Sequence, residues 1–280
     1  MSFKQWVKTP KGYMLILLIM YVGVIYYWTH SVEGLKTVVF AVGVAVCIDY
    51  ITNLIVERRR FMPDGAAITG LMIGMILSTT VSWAVILLTT IISILSKYMI
   101  VISNKHVFNP AAFGLLLSIL FFNSEQSWWG AFGDLPGWAN LLLVAGGYII
   151  MYRVNKAPQV YAYFSTLFLI FLAMGIFHYG DAFDAFRPPF INSALFFGLF
   201  MLTDPPGSPA KTRDQIIFGM ITAIVGGIIY AKYGGLMYLF IGLLVGNLFH
   251  LLMRFIDSKR VNTIHSVANR GSKVLVQKRK

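Results

Sequence analysis

Residues 64–71 read Asp-Gly-Ala-Ala-Ile-Thr-Gly-Leu, and residues 192–199, which lie 128 positions further on, read Asn-Ser-Ala-Leu-Phe-Phe-Gly-Leu. Each stretch belongs to a short apolar segment, about 66–80 in the first case and about 192–203 in the second. Neither segment is long enough to cross a bilayer, because a transmembrane helix needs about 20 apolar residues that rise about 1.5 Å each. Matched short segments in two halves of a chain are typical of transporters with broken helices near the membrane midplane.

The composition indicates a membrane protein. Hydrophobic residues make up 58% of the 280 residues and charged residues only 12%, which is more apolar material than a soluble fold of this length needs. The first apolar run, residues 13–28, lacks a small-residue cleavage site after it, so we interpret it as a retained span. The single cysteine, Cys47, excludes an internal disulfide and cannot form a thiolate metal cluster alone.

A span-length window predicts an all-α polytopic membrane protein with about ten segments. They lie near residues 13–29, 35–56, 66–80, 82–102, 109–122, 137–153, 161–177, 190–203, 215–232 and 236–256. We expect one transmembrane domain over residues 1–257, with one repeat at about 13–122 and another at about 137–256, followed by a basic cytoplasmic tail over 258–280. Because five segments per half is an odd number, the second half must enter from the opposite side, so the repeats are inverted.

A further pair of sequences supports the repeat. Residues 114–116 and 242–244 both read Gly-Leu-Leu, again 128 positions apart, and both lie in the fifth segment of their half. Glycine and leucine are abundant in membrane helices, so coincidence is the alternative explanation.

The basic residues predict the orientation. If the N-terminus is cytoplasmic, 20 of the 23 lysines and arginines fall in cytoplasmic connections and ends, leaving Lys36, Arg187 and Lys232 outside. This asymmetry predicts a multi-pass protein of the cell membrane with both termini in the cytoplasm. An anionic lipid leaflet accounts for the net charge of +12, so the bilayer is the expected partner and no nucleic acid is needed.

The starts of the short segments predict a binding site. Asp64 and Asn192 are of the type that caps helix starts, and Asn109 followed by Pro110 repeats this pattern. If the two short helices meet head to head, their positive ends offer a place for an anionic or electron-rich group. The predicted site lies between residues 64–70 and 192–198, and plain capping is the alternative. The cofactor-binding candidates are Asp64, Thr69, Asn109, Asn192, Ser193, Thr203 and Asp204.

Asp49 is a separate candidate for ion coupling. It is the one acid well inside a full-length segment, and intramembrane carboxylates are costly enough to indicate function. The alternative is a solvated helix end near the interface. Asp204 ends the second short segment against the helix dipole, so it needs a partner such as Arg213, a cation or water. The sequence contains no histidine pair at helical spacing and no zinc-type cluster, so we assign no metal ligand and no catalytic residue.

Four motifs resemble, in order and spacing, those of the RnfD/NqrB family of membrane proteins. They are Arg-Arg-Arg at 58–60, Asp-Gly-Ala-Ala-Ile-Thr-Gly at 64–70, Lys-His-Val-Phe-Asn-Pro-Ala-Ala at 105–112 and Phe-Met-Leu-Thr-Asp-Pro at 200–205. The resemblance covers roughly residues 41–257. It implies a ten-helix, inverted-repeat fold similar to that of urea transporters. It also implies a membrane subunit of a flavin-dependent redox complex that is coupled to sodium or proton movement. Other subunits of such a complex supply NADH oxidation, iron–sulfur centres or a second flavin.

One departure from the family concerns the flavin. Redox members of the family carry a Ser-Gly-Ala-Thr-type motif, whose threonine is esterified to FMN, after the Asn-Pro-Ala helix. Here residues 122–130 read Phe-Asn-Ser-Glu-Gln-Ser-Trp-Trp-Gly, and no threonine occurs between Thr90 and Thr166. We therefore expect no covalent threonyl-FMN, and a non-covalent FMN or riboflavin stays open. Trp128 and Trp129 are suited to stacking on a flavin ring, but an interfacial aromatic belt is the favoured interpretation.

Three functions remain after these observations. The first is an integral membrane subunit of an Rnf/Nqr-type electron transport system, which holds a flavin or quinone and passes electrons between its partners, with coupling to Na⁺ or H⁺ movement. Such a chain is at most an electron-relaying or non-catalytic subunit of an oxidoreductase complex. The second is a small-solute transporter or channel of the same inverted-repeat fold, and the third is a scaffold in a larger assembly. Fold resemblance alone does not decide among them.

Overall fold

The computed structural model describes residues 3–56, 62–102, 105–179 and 182–256, so residues 58–60 and the predicted tail over 258–280 lie outside the described residues. A two-stranded antiparallel hairpin, β1 Val101–Ile102 and β2 Lys105–His106, joins α5 to α6. The α-helices in the described ranges are α1 Phe3–Val7, α2 Pro10–Thr29, α3 Val32–Ile55, α4 Asp64–Ile76, α5 Trp83–Met99, α6 Pro110–Phe122, α7 Asn140–Arg153, α8 Ala157–Ile176, α9 Phe190–Phe196, α10 Thr212–Tyr233 and α11 Met237–Ile256.

The all-α prediction is confirmed. Each of the ten predicted segments overlaps one of the helices α2–α11, and α9 continues into a π-helical segment, Phe197–Met201. Five helices, α2, α3, α8, α10 and α11, are long and apolar enough to cross a membrane. Shorter apolar helices include α4 and the continuous segment Phe190–Met201, which correspond to the two short segments of the sequence. Ten crossings and the inverted orientation of the halves stay predictions.

The helices begin where local chemistry favours a start. Thr9, Ser31 and Ser82 cap α2, α3 and α5 through side-chain oxygens that accept from backbone N–H groups three residues on. Beyond these caps the helices are apolar on their outer as well as their inner faces, and many large hydrophobic side chains are exposed around the bundle. Helices that are apolar all round are typical of membrane spans.

Glycines that match between the two halves pack against matching helices. Gly70 in α4 lies so close to α3 that an added Cβ would be 2.7 Å from Val42 Cα, and Gly198 after α9 lies against α8. Gly114 in α6 lies against the backbone of α5, and Gly242 in α11 lies against the backbone of α10. The 128-residue offset therefore joins positions with equivalent packing, since small residues allow membrane helices to approach closely.

The connections that carry basic residues meet at one end of the bundle, here called the basic end. Lys11 Nζ, at the start of α2, lies 3.4 Å from Asp64 Oδ1 at the start of α4. Lys97 joins the end of α5 to α3, and Lys156, before α8, contacts the loop before α10. This grouping agrees with the prediction that most of the basic residues lie in connections on one side of the membrane. The side of the membrane that the basic end faces stays a prediction.

At the opposite end, the loop over residues 123–139 folds onto the end of α4. Trp129 Nε1 donates to Gly74 O at 2.8 Å, and the backbone N–H of Trp128 donates to Ile76 O at 3.1 Å. Both tryptophans are buried, and the ring of Trp128 stacks on Phe240 with 5.5 Å between centroids. The belt interpretation is therefore wrong. A helix that ends inside a membrane protein leaves carbonyls that need donors, and these tryptophans supply them.

Candidate functional site

A cavity of about 690 Å³, here called the first cavity, opens at the basic end. Its wall is formed by the starts of α2, α4 and α6, the ends of α3 and α5, the β-hairpin and the chain after the π-helical segment. Met14, Ile68, Met72 and Phe200 contribute apolar surface, and several acids, lysines and a histidine contribute polar surface. The volume lies within the range of about 300–1,000 Å³ that is typical of pockets for small molecules and cofactors.

Asp49 faces the first cavity as part of a buried ion pair. Lys97 Nζ donates to its Oδ1 at 3.2 Å, and the Tyr98 hydroxyl donates to the same oxygen at 3.0 Å. Asp49 is only 5% exposed, so a solvated helix end does not describe it. Two donors on one buried carboxylate offset part of its cost of desolvation.

Asp64 is adjacent to Gly65, which lines the first cavity, but it does not cap α4 in the expected way. Pro63 occupies the cap position, and Asp64 is the first helical residue. Its Oδ1 accepts from the adjacent Gly65 N at 2.7 Å and from Lys11 Nζ, instead of from N–H groups two or three residues on. The capping prediction for Asp64 is wrong because the helix begins one residue earlier than the pattern indicated. Thr69 lines the cavity one turn further on.

Asp204 lines the first cavity together with His106. The β-hairpin brings His106 Nε2 to 3.1 Å from Asp204 Oδ2, although the two residues are 98 positions apart. Arg213, which the sequence suggested as a partner, is an exposed residue of α10. The sequence analysis missed His106 as the partner of Asp204, because this contact depends on how the second half of the chain packs on the β-hairpin.

Asn109 lines the first cavity and caps α6, as predicted. Its Oδ1 accepts from Ala112 N at 3.1 Å, and Pro110 occupies the first helical position. Its Nδ2 donates to Met201 O at 3.3 Å, and its backbone N–H donates to Asn247 Oδ1 at 3.1 Å. A single asparagine therefore joins the first half of the chain to the end of the second short segment.

Thr203 lies inside the fold instead of on the cavity wall. It is fully buried, and its hydroxyl donates to the carbonyls of Leu199 and Phe200. Gln159 Nε2 donates to the neighbouring Leu202 O at 2.6 Å. The sequence analysis missed Gln159 and Asn247. The available signal was an isolated amide side chain within an apolar helix.

Asn192 and Ser193 do not line the first cavity. Asn192 is the third residue of α9, which begins at Phe190 after Pro189, so the expected cap role of Asn192 is wrong. Its Nδ2 donates to Asn140 Oδ1, and Ser193 donates to Pro189 O at 2.9 Å. Of the two predicted site segments, only 64–70 contributes lining residues to the first cavity among the described residues. The start of α4 instead shares the cavity with the end of the second short segment.

The loop over residues 122–130 lies in the region where redox members of the family carry their covalent flavin, and it contains two serines. Ser124 is buried, and its Oγ lies 2.7 Å from Ser118 Oγ. Ser127 Oγ lies 3.4 Å from Leu77 O and helps to hold the loop on α4. The Ser124 hydroxyl is enclosed by protein groups, whereas Ser127 is exposed, so the absence of a covalent flavin stays a prediction. The first cavity, at the other end of the bundle, has the size for a ligand held without a covalent bond.

Residues 6–136 match the NQR2, RnfD, RnfE family. The matched residues include Lys11, Asp49, Lys97, His106 and Asn109 of the site described above. A comparison with curated proteins found no match. The family match confirms the resemblance for the motifs at 58–60, 64–70 and 105–112, whereas the motif at 200–205 lies outside the matched residues.

Proposed function

Residues 6–136 match the NQR2, RnfD, RnfE family, and from this premise we propose that the chain holds a flavin or quinone, without a covalent bond, in the first cavity. As a membrane subunit of an Rnf/Nqr-type complex, it would relay electrons there from one partner to another. Family membership supports the membrane location and the presence of other subunits. The cofactor, the electron transfer and the coupling to ions are parts of the proposal.

The first cavity is the observation that carries this proposal. Met14, Met72 and Phe200 offer polarizable and aromatic surface for a flat ring. Asp204, His106 and Asn109 also line the cavity and offer partners to the polar ring atoms of such a ligand. Cofactor pockets generally combine apolar walls with a few placed polar groups.

Asp49 supports coupling to a proton or Na⁺. Its carboxylate is buried in the cavity wall and depends on Lys97 and Tyr98 for stabilisation. A change of charge on a nearby ligand would alter the balance of this pair, because electrostatic interactions are strong in a poorly hydrated site. We propose Asp49 as the coupling residue on this basis.

Transport of a small solute is the second candidate. A permeation path would have to continue from the first cavity to the opposite end of the bundle. There, the loop over residues 123–139 covers the end of α4 with two buried tryptophans, Trp128 and Trp129. This closure favours a bound cofactor over a continuous path.

A cavity-filling substitution tests the proposal. Among the described residues, an added Cβ at Gly65 would meet only the flexible ends of Lys11 and Lys97, at 3.5 and 3.7 Å, so Gly65→Leu should extend into the first cavity without displacing backbone. Gly43→Leu is the matched control, since Gly43 is an exposed helical glycine and no described neighbour lies within 4 Å of an added Cβ. The measurement is the absorbance spectrum of detergent-purified protein before and after denaturation, with quinone extraction in parallel.

We expect flavin or quinone in the unmodified protein and in Gly65→Ala and Gly43→Leu, and at least a tenfold loss in Gly65→Leu. Cofactor released by denaturation would support non-covalent binding. A protein that contains neither cofactor and binds neither when it is added would contradict the proposal. Full occupancy in Gly65→Leu would also contradict it.

A further inference from the structure

A second cavity of about 410 Å³, here called the basic pocket, lies beside the first cavity. It is formed by the connection between α7 and α8, the chain before α10, the start of α10 and the end of α11. The two cavities share Lys105, Val154, Pro205 and Pro206 as wall residues. The proposed function does not use the basic pocket.

The wall of the basic pocket is strongly basic. Its ionisable side chains are Lys105, Lys156, Lys211, His250, Arg254 and the single acid Asp214. Val154, Pro205 and Pro209 contribute low-polarity surface between these groups. A concave site with one dominant sign of charge and apolar walls concentrates its field on a ligand of the opposite sign.

Lys156 is the most buried cation of this wall, with only 4% of its surface exposed. Its Nζ donates to the carbonyls of Ser208 at 3.2 Å and Pro209 at 2.5 Å. Among the described residues, no carboxylate lies within 4.0 Å of this nitrogen. An ammonium has three donors, and a buried charge is normally paired, so an anion in the pocket would satisfy both requirements.

Gln215 indicates that the ligand also carries a hydrogen-bond donor. Its Nε2 donates to Asn155 O at 2.9 Å and Ala210 O at 3.1 Å, which fixes the orientation of the amide. Its Oε1 is buried and has no partner among the described residues, although Gln215 lines the pocket and is only 2% exposed. Buried acceptors without partners are rare in folded proteins, and a ligand hydroxyl would complete this one.

We propose that the basic pocket binds a phosphate group next to a hydroxyl, the chemistry of a glycerol-phosphate unit. A phosphatidylglycerol headgroup and a soluble phosphate monoester both present this chemistry. Basic pockets at the ends of transmembrane helices are suited to anionic headgroups. This inference does not depend on the cofactor proposed for the first cavity, because the basic residues line their pocket whether or not a flavin or quinone binds in the neighbouring cavity.

The test measures the two sources separately on the full-length, detergent-purified chain. In the first arm, native mass spectrometry counts bound phosphatidylglycerol against phosphatidylcholine added at equal concentration. In the second arm, the thermal unfolding midpoint is measured at increasing concentrations of glycerol 3-phosphate. A chloride salt at matched ionic strength is the reference. Ligands that bind only the folded state raise this midpoint.

The variants are Lys211→Gln/Arg254→Gln, which alters the rim, and Lys156→Gln, which alters the buried cation. The matched control is Lys4→Gln/Lys8→Gln, which removes the same charge from exposed N-terminal residues outside the pocket. Should Lys156→Gln fail to fold, the rim variant still tests the proposal.

We expect at least a tenfold loss of binding in the pocket variants and less than a twofold change in the control. Selective retention of phosphatidylglycerol would identify the lipid source. A midpoint shift with glycerol 3-phosphate alone would identify the soluble source. Equal binding of both lipids together with no shift would overturn the proposal, as would an equal loss in the control.

Discussion

Asn109 donates from its Nδ2 to the carbonyl of Met201 at 3.3 Å, and this bond joins the start of α6 to the end of the second short segment. The same side chain caps α6 through Oδ1, so one amide serves both halves of the chain. The two functions of the side chain use different atoms and can be separated by substitution.

Asn109→Ala should lose both the cap and the bond to Met201, while Asn109→Ser should keep a cap acceptor and lose only the longer contact. A cap contributes about 1 kcal/mol. The bond between buried groups adds about 1 kcal/mol. We expect the unfolding midpoint in detergent to decrease in the order unmodified protein, Asn109→Ser, Asn109→Ala. Equal midpoints for all three proteins would show that the Asn109 side chain does not contribute to stability.

Substitutions of Asp49 and Lys97 should have strongly non-additive effects on stability. Asp49→Asn leaves a partly buried Lys97 without its partner, and Lys97→Met leaves a buried Asp49 without its partner; breaking a fully buried pair costs about 3–5 kcal/mol, so we expect losses of up to that size. The double variant removes both charges and should recover at least half of that loss. The measurement is a double-mutant cycle on the unfolding midpoint, with yield of folded protein as a second readout. Additive losses would mean that the 3.2 Å contact contributes no coupling.

No flavin should remain attached to the protein on a denaturing gel. Ser124 and Ser127 contact Ser118 and Leu77, and the region lacks the family's acceptor threonine. The gel is illuminated for flavin fluorescence at the mass of the chain, before and after replacement of both serines by alanine. A fluorescent band in either sample would contradict this prediction and show that the loop opens for modification.

The basic end should face the cytoplasm. Lys11, Lys97 and Lys156 lie at this end of the bundle, and the positive-inside rule places such residues inside. Reporter fusions at residue 280 and in the loop over 58–60 should therefore read as cytoplasmic, and fusions near Glu125 and Asp184 as external. A cytoplasmic signal at Glu125 would contradict the ten-segment topology.

Lys156 should make stability depend on pH above neutrality. Burial lowers the pKa of Lys156 from its usual 10.5 to about 8, with Lys105 lowering it further and Asp204 opposing this. The folded state therefore binds this proton less tightly than the unfolded state, so the free energy of unfolding should rise as the pH increases from 8 towards 10.5. The rise should reach at most about 3–4 kcal/mol, since one pKa unit corresponds to about 1.4 kcal/mol.

Lys156→Met supplies the reference for this measurement, because it keeps the length of the side chain and removes the titrating group. The stability difference between the unmodified protein and Lys156→Met should move in favour of the unmodified protein between pH 7.5 and pH 10, in buffer free of phosphate. A difference that stays constant over this range would contradict a lowered pKa.

The sequence by itself determined the helical class, the positions of the segments and the two short helices. Length and hydropathy predict these features because each helix satisfies its own backbone hydrogen bonds in an apolar environment. The cap at Asn109 was also predictable, since its partner Ala112 is three residues away. The grouping of basic connections followed from their spacing along the chain.

Only the tertiary structure decided which polar groups meet. His106 and Asp204 are 98 positions apart, and Lys97 and Asp49 are 48 apart, so their pairing depends on how separate helices pack. The starts of α4 and α9 look alike in sequence, yet Pro63 and Pro189 occupy the cap positions, and only α4 begins beside the first cavity. Local pattern fixes where a helix forms, but side-chain packing between helices fixes which of its ends becomes a site.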